Sequence, residues 1–293
     1  MNKLFRKITL MSGAACSFFL VSCQEEAIET VQPAIKNQEV AQAPPSMIAE
    51  LRLSKFGNET LSYNPDGKLK QLNGTADVNK SGYSTYRIDY EYAYNSIVST
   101  RYEDNVKQSK MEWRLNNGRA AELTKICYYS DEKTITSILH AAYQFNNQDQ
   151  LVKVIIAEKD KRTLTLSYDN AGNVIKLLLV KNTDKGDQYQ GLMKYEYNEY
   201  VGGPLELDKG SLINLHIFGH ALNWIGDQHL PIFGKLAKNL LKKSIVQNFA
   251  TSQKHTYSFD QNGYVKEQKT QESDGEPAKS ISLVYSIPTK SRF

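Results

Sequence analysis

The chain has 293 residues, with 36 Lys and Arg against 32 Asp and Glu, three cysteines and a formal net charge of +4. Lys3, Arg6 and Lys7 stand in the first 22 residues, which hold no acid, so the remainder is nearly neutral at 33 basic against 32 acidic residues. That balance excludes the basic surplus of a nucleic-acid binder, and no P-loop, Gly-x-Gly-x-x-Gly element or Gly-x-Ser-x-Gly elbow is present to suggest nucleotide or serine-hydrolase chemistry.

Residues 1–22 combine that basic start with an apolar, small-residue run from Ile8 to Val21. The run is shorter than the ~20 residues needed to span a bilayer. It ends in Leu20-Val21-Ser22-Cys23, the order of a bacterial lipoprotein signal, and Cys23 is the expected lipidation site. Residues 23–46 read as the lipidated cysteine and a flexible tether, with Pro33, Pro44 and Pro45 and no aromatic residue. Such a segment has an r.m.s. reach of roughly 25 Å. With Cys23 acylated, Cys127 is left without a disulfide partner. It lies in the apolar stretch Leu123 to Tyr129 and reads as a small buried hydrophobe.

Residues 47–293 read as one β-rich domain. Tyrosine becomes frequent, and short alternating runs appear, such as Tyr86 to Tyr94 and Lys161 to Tyr168; period-two alternation marks strands with one solvated face. A turn unit recurs. Tyr63-Asn-Pro-Asp-Gly67-Lys-Leu69, Tyr168-Asp-Asn-Ala-Gly172-Asn-Val174 and Phe259-Asp-Gln-Asn-Gly263-Tyr-Val265 share an aromatic, Asn or Asp, two variable residues, Gly, one residue and an aliphatic. Phe145 to Leu151 fits with Asp149 in the glycine position, and Leu115 to Ala120 is one residue shorter. The physics is that of a hairpin: Asn or Asp closes the turn through its side chain, Gly takes a positive φ at its end, and the flanking apolar residues return to the same face. Longer connections at Gly74–Gly82, Glu103–Ser109 and Asn182–Gln188 alternate with these units, so the short turns should line one rim of an up-and-down sheet and the longer loops the other.

The pattern breaks after Tyr195-Glu-Tyr-Asn198, where an insertion is expected at residues 204–250. Ser211 can cap a first helix carrying Leu212, Leu215, Phe218, Leu222 and Ile225, ended by Gly226. Pro231 can open a second with Ile232, Phe233, Leu236 and Leu240 on one face and Lys235, Lys238, Lys242 and Lys243 elsewhere. Both would be amphipathic, and the expectation is that they cover the concave face or plug the end of the sheet. The fold class that follows is mainly β: a long, curved antiparallel up-and-down meander, open or half-barrel-like, with a two-helix insertion.

The lipobox, the proline-containing tether, the repeated turns and the insert with Phe233-Gly-Lys-Leu-Ala-Lys-Asn239-Leu240 together resemble an uncharacterised family of Bacteroidota lipoproteins whose domain is described as having a porin-like fold. The turns alone bear a weaker resemblance to the tyrosine-aspartate repeats of secreted shell-forming proteins. The family resemblance implies a strongly bent antiparallel sheet and no established activity, and it brings no catalytic residues. It also implies an outer-membrane, lipid-anchored location, on the periplasmic side or at the cell surface; Glu25 and Glu26, just after Cys23, resemble the acidic signal for surface display.

The remaining constellations point weakly to chemistry. His216 and His220 stand at i, i+4 with Asp227 and His229 shortly after, a spacing that can hold zinc, but the central Glu of the metalloprotease motif is missing. Glu91, Glu103 and Glu196 sit in Tyr-rich strands as solvent-face residues rather than a glycosidase pair. The tyrosines with Trp113 and Trp224 could form a stacking platform, or pair across strands on a half-buried face. No catalytic, metal or cofactor site is expected. The function expected is a non-enzymatic envelope module, attached to the membrane by its lipid, that binds a glycan, peptide or envelope protein; a structural component, and less so an envelope hydrolase, are the alternatives. A membrane-spanning barrel is disfavoured because its lipid-facing band should be less polar than these strands.

Overall fold

The computed structural model describes residues 51–286 apart from 78–82, 159, 199–216, 219–221, 248–250, 274 and 276. The signal, the tether, Cys23 and most of the first expected helix therefore lie outside the described residues. In chain order the strands are β1 (Arg52–Phe56), β2 (Glu59–Tyr63), β3 (Leu69–Asp77), β4 (Tyr83–Ala93), β5 (Ser96–Glu103), β6 (Val106–Asn116), β7 (Arg119–Tyr128) and β8 (Ile135–Phe145). They continue as β9 (Leu151–Ala157), β10 (Arg162–Tyr168), β11 (Val174–Thr183), β12 (Gly186–Tyr197), β13 (Leu241–Val246), β14 (Thr251–Phe259), β15 (Val265–Glu272) and β16 (Lys279–Ser286). Each pairs antiparallel with its sequence neighbour. β1 also pairs with β16, with Arg52 opposite Ser286 and Phe56 opposite Leu283. The expected open or half-barrel sheet is thus a closed 16-strand barrel. The edges meet because a continuously twisted and coiled sheet of this many strands brings its first and last strands into register, and pairing removes both exposed edges.

The turn units form as their chemistry requires. In the turn between β10 and β11 the Gly172 N–H donates to Asp169 O (3.1 Å) and the Asp169 N–H to Asn173 O (2.9 Å). The Asp169 carboxylate accepts the Asn173 N–H at 2.8 Å. The turns at Asn64, Asn146 and Asp260 repeat these backbone bonds. Gly67, Gly172 and Gly263 take φ of 84°, 89° and 76°, and Asp149 takes 63° in the same position. The ladder slips by one residue beside each, as between Ser167 and Tyr168, so the leading aromatic is turned inward. Where that aromatic is a tyrosine its hydroxyl has a fixed partner: Tyr63 donates to Leu53 O (2.6 Å) and Tyr168 to Leu151 O (2.8 Å); near the same rim Tyr197 donates to Val174 O (2.7 Å) and Tyr257, two residues before Phe259, to Leu241 O (2.8 Å). The tyrosines tie each strand end to the strand before it. All these turns share one rim, as expected. At the opposite rim the connection at Asp104-Asn105 is a tight turn with both residues at positive φ, and that at Asp184-Lys185 is equally short; these two are not the longer loops expected there.

The second expected helix is absent. Residues 222–240 are turns and irregular chain, and Lys242 and Lys243 already belong to β13. The segment from Leu230 to Leu240 is a strap along the inside of the turn rim. Its carbonyls and amides pair with the turns in succession: Ile232 O accepts the Ala120 N–H (2.9 Å), Lys235 N–H donates to Asp149 O (3.1 Å), Leu236 O accepts the Val174 N–H (2.8 Å), and Leu240 O accepts the Asn198 N–H (3.0 Å). A helix would use those groups internally and leave the rim unpaired. Gly234 makes the contact possible: its φ is +75°, and a Cβ there would sit 2.3 Å from Asp149 O. Leu212 and Leu215 lie outside the described residues; the described apolar residues that suggested the helical faces turn inward, with Ile217 and Leu230 beside them. Ile217, Phe218, Leu222, Ile225, Leu230, Ile232, Phe233 and Leu236 are buried in one cluster with Leu72, Trp113, Leu123, Leu151, Val154, Ile156 and Leu164 of the wall. Phe233 packs on Phe218 at 4.2 Å between ring centroids. The insertion therefore plugs the barrel, as the amphipathic pattern suggested, but without being a helix pair.

Asn173 locks the strap. It is 3% exposed, its Oδ1 accepts the N–H groups of Lys238 (2.9 Å) and Asn239 (3.0 Å), and its Nδ2 donates to Asp169 and Asn239. Asn173→Ala should lose about 1–3 kcal/mol of stability, because the buried Asn239 N–H and the part-buried Lys238 N–H lose their acceptor. A urea titration should show the fall in midpoint, and an unchanged midpoint would mean the strap is not held this way.

Candidate functional site

The outer wall alternates with the core. Arg114, Lys153, Lys176, Lys194, Lys254 and Lys269 each flank a buried inward residue (Trp113, Val154, Leu177, Tyr195, His255 and Gln268) and so point outward. Many outward groups pair along or across the strands: Lys110 with Glu112 (3.3 Å), Arg114 with Glu122 (2.5 Å), Lys243 with Glu196 (4.0 Å) and Lys269 with Glu267 (3.7 Å). Thr163, Thr165 and Ser167 continue the polar face on β10. A lipid-facing Arg or Lys near the bilayer midplane costs about 2–4 kcal/mol, so this wall is built for water.

The described plug residues occupy much of the turn-rim part of the lumen, beside a cavity of about 540 Å³ bordered by Leu53, Tyr63, Leu69, Tyr92, Leu230 and Ile232, and a second hollow, a cup, lies toward the other rim. A cavity of about 550 Å³ is lined by Glu59, Tyr86, Ser99, Arg101, Ser109 and Lys125 from β2, β4, β5, β6 and β7. Leu72, Ile88 and Met111 add apolar wall, and Phe218 with Asn223 and Gly226 to His229 contributes the plug side. Lys125 also borders a recess of about 360 Å³ with Cys127, Ser137, Leu139, Glu158, Arg162 and Trp224.

A hydrogen-bonded knot joins wall to plug. Glu59 Oε2 meets His229 Nε2 at 3.0 Å and accepts Gln228 Nε2 at 3.2 Å, while Glu59 Oε1 accepts the Tyr86 hydroxyl. The side chains of His229 and Glu59 are only 4% and 16% exposed. Asp227 accepts the Tyr90 hydroxyl at 2.7 Å and the His229 N–H at 2.9 Å. Burial alone would raise the Glu59 carboxyl, but the bonds and charge of His229, the Tyr86 hydroxyl and the Arg101 guanidinium together hold it below its ordinary value. Burial first, then Asp227, keep the Tyr90 hydroxyl protonated and therefore a donor. Arg101 stacks over the Tyr86 ring at 4.4 Å and bonds Glu103 at 2.9 Å. Arg162 stacks over Trp224 at 4.7 Å.

The residues singled out in the sequence are scattered by the fold. Glu91 is exposed on the outer wall, Glu196 faces outward beside Lys243, and Glu103 serves Arg101. Trp113 is fully buried in the core, so it forms no platform, whereas Trp224 borders the recess. Cys127 is half-buried on the recess wall rather than in the core. His216 and His220 lie outside the described residues; Asp227 and His229 are engaged with Tyr90 and Glu59, and among the described residues no cluster of three or more His, Cys, Asp or Glu could hold a metal. Glu59, Arg101 and Lys125 were missed. Their only signal is a charged residue at an inward position of an alternating strand.

No family model and no curated protein matches the chain. Its fold is similar to two solved structures. One is a porin-like protein from Bacteroides uniformis, with 16% identity and a TM-score of 0.53 over 78% of this chain and 88% of that one. The other is a porin-like protein from Bacteroides vulgatus, with 12% identity and a TM-score of 0.51 over 80% of this chain and 99% of that one. The likeness establishes a porin-like barrel fold and extends to nearly the full length of both neighbours. It lends no support to the resemblance with tyrosine-aspartate shell repeats.

The Glu59 knot gives a signed pH dependence. A carboxyl held below its ordinary value of 4.5 contributes stability that is fully present above that pH and is lost as pH falls through the depressed value. The stability difference between the wild type and Glu59→Gln should therefore shrink below pH 4.5, measured by urea titration at a series of pH values. A difference that stays constant or grows on acidification would contradict the assignment.

Proposed function

We propose that this is a non-enzymatic, lipid-anchored protein of the outer membrane that uses a plugged porin-like barrel as a water-facing binding module. The observation that carries this reading is the reversal of the two faces: the outer wall bears paired charges and hydroxyls, while the lumen is packed with Trp113, Phe218 and Phe233. A conducting porin has an apolar outside and a wet inside. Here the outside cannot take lipid and the inside cannot pass solutes, so membrane attachment falls to the diacylglycerol on Cys23. Glu25 and Glu26 favour display at the cell surface. The ligand class expected from sequence, a glycan, peptide or envelope protein, narrows to what the cup can admit.

The porin-like neighbours support an envelope role without catalysis, and the polar knot supports binding over chemistry. Its carboxylates are already satisfied by Tyr86, Tyr90, Gln228 and His229. None is paired with a poised nucleophile among the described residues.

Replacing Cys23 with Ala should release a folded protein that stays soluble without detergent. The wild type should remain with the membrane and should add no conductance to a planar bilayer. Ohmic channels, or a Cys23→Ala chain that still partitions with membranes, would overturn the proposal.

A further inference from the structure

The lining charges balance in number, Glu59 and Asp227 against Arg101 and Lys125, but their partners are unevenly shared. Glu59 is held by His229, Gln228 and Tyr86, Asp227 by Tyr90 and the His229 N–H, and Arg101 by Glu103. Lys125 lines both the cavity and the recess, and among the described residues it is the charged lining group left with no hydrogen-bond or ion-pair partner. An ammonium half-withdrawn from water and unpaired is costly unless something completes it. Burial, with Arg101 adding, already pulls Lys125 below its ordinary value, against the opposing effects of Cys127 and Glu158.

The ladder register places a second cation within reach. Arg101 lies opposite Ser109 on β6, and Lys125 lies opposite Met111 on the same strand. The two bases are therefore two strands and two residues apart on one inward face, about 12 Å between Cα atoms. Two long side chains can close such a gap onto one anionic group, with Ser109 and Met111 of β6 between them and Ser99 beside Arg101 on β5. The Tyr86 ring under Arg101 fixes the guanidinium in place. Beside this polar corner the lining is apolar: Leu72, Ile88, Met111 and Phe218.

Building on the reading of the cup as a binding module, we propose that it takes a small amphipathic organic anion. The carboxylate or sulfonate would sit at Lys125 and Arg101, and the apolar body would lie on Leu72, Met111 and Phe218. A cavity of about 550 Å³ is within the range that encloses most of a drug-sized molecule. The unpartnered ammonium of Lys125 selects anions; the apolar wall selects those with a hydrophobic body over inorganic phosphate or a free sugar.

The test uses the soluble Cys23→Ala chain and two fluorescent probes that differ in one group: 1-anilinonaphthalene-8-sulfonate and the uncharged N-phenyl-1-naphthylamine. The sulfonate should bind saturably with one-to-one stoichiometry and be displaced by decanoate. Loss of one charge-assisted contact should weaken it at least about tenfold in Lys125→Met, with the neutral probe unaffected and Lys125→Arg near wild type. Lys125→Gln gives a second reading should the Met variant fold poorly, judged by thermal melting. If both probes bind and no Lys125 substitution discriminates between them, the cup is a binding site but the anion assignment is wrong. If neither probe binds a folded barrel, the cup itself is not a small-molecule site.

Discussion

A cylinder of sixteen strands encloses more volume than its own inward side chains can fill. Small barrels of about eight strands close over their side chains, and porin-sized barrels leave an aqueous channel. This chain solves the volume problem with the segment between β12 and β13. Phe218, Ile225, Leu230, Ile232, Phe233 and Leu236 convert the lumen into a core, each such side chain contributing about 1.5–3 kcal/mol on full burial. The backbone of that segment would be left unsatisfied in an apolar interior, and the strap answers this by bonding to the turns one after another. Plug and rim depend on each other. The turns present free amides and carbonyls inward because their bulges tilt them, and the strap needs those groups because it is not a helix.

The proposed water-facing placement of the barrel rests on how its two faces are divided. Polarity is assigned by alternation, and the alternation here places Trp113 inside and Arg114 outside, Leu164 inside and Thr165 outside, Tyr195 inside and Lys194 outside. The likeness to the porin-like neighbours therefore carries the architecture to this chain and not by itself a function. Toward the second rim Glu59, Tyr86, Arg101 and Lys125 replace the aliphatic residues of the core and line the cup.

Much of the fold was legible because it is local. The Asx-Gly turn units specify hairpins residue by residue, and Asp149 in the glycine position adopts the same positive φ as Gly67 and Gly172. Closure was not legible, since the pairing of Arg52 with Ser286 joins the two ends of the domain and no local pattern encodes it. The insertion misled for a clear reason. Ile232, Phe233, Leu236 and Leu240 have helical spacing, but their burial is imposed by turns spaced around a rim, and Gly234 between them was the sign that the backbone must approach another chain segment closely. The cup was least legible: Arg101 and Lys125 lie 24 positions apart in sequence and meet only through the register of β5, β6 and β7.

The central claim is that the barrel wall faces water all round while the lumen is packed. Site-directed spin labelling tests it most directly, in a Cys127→Ser background with the lipidated protein on liposomes. Labels at the outward positions Glu112, Thr165, Lys194 and Thr256 should collide freely with a water-soluble nickel chelate and poorly with oxygen dissolved in lipid. A label at inward Leu164 should be shielded from both. If the outward labels instead show high oxygen and low nickel accessibility, the wall lies in the bilayer and the account of a plugged, water-facing barrel fails.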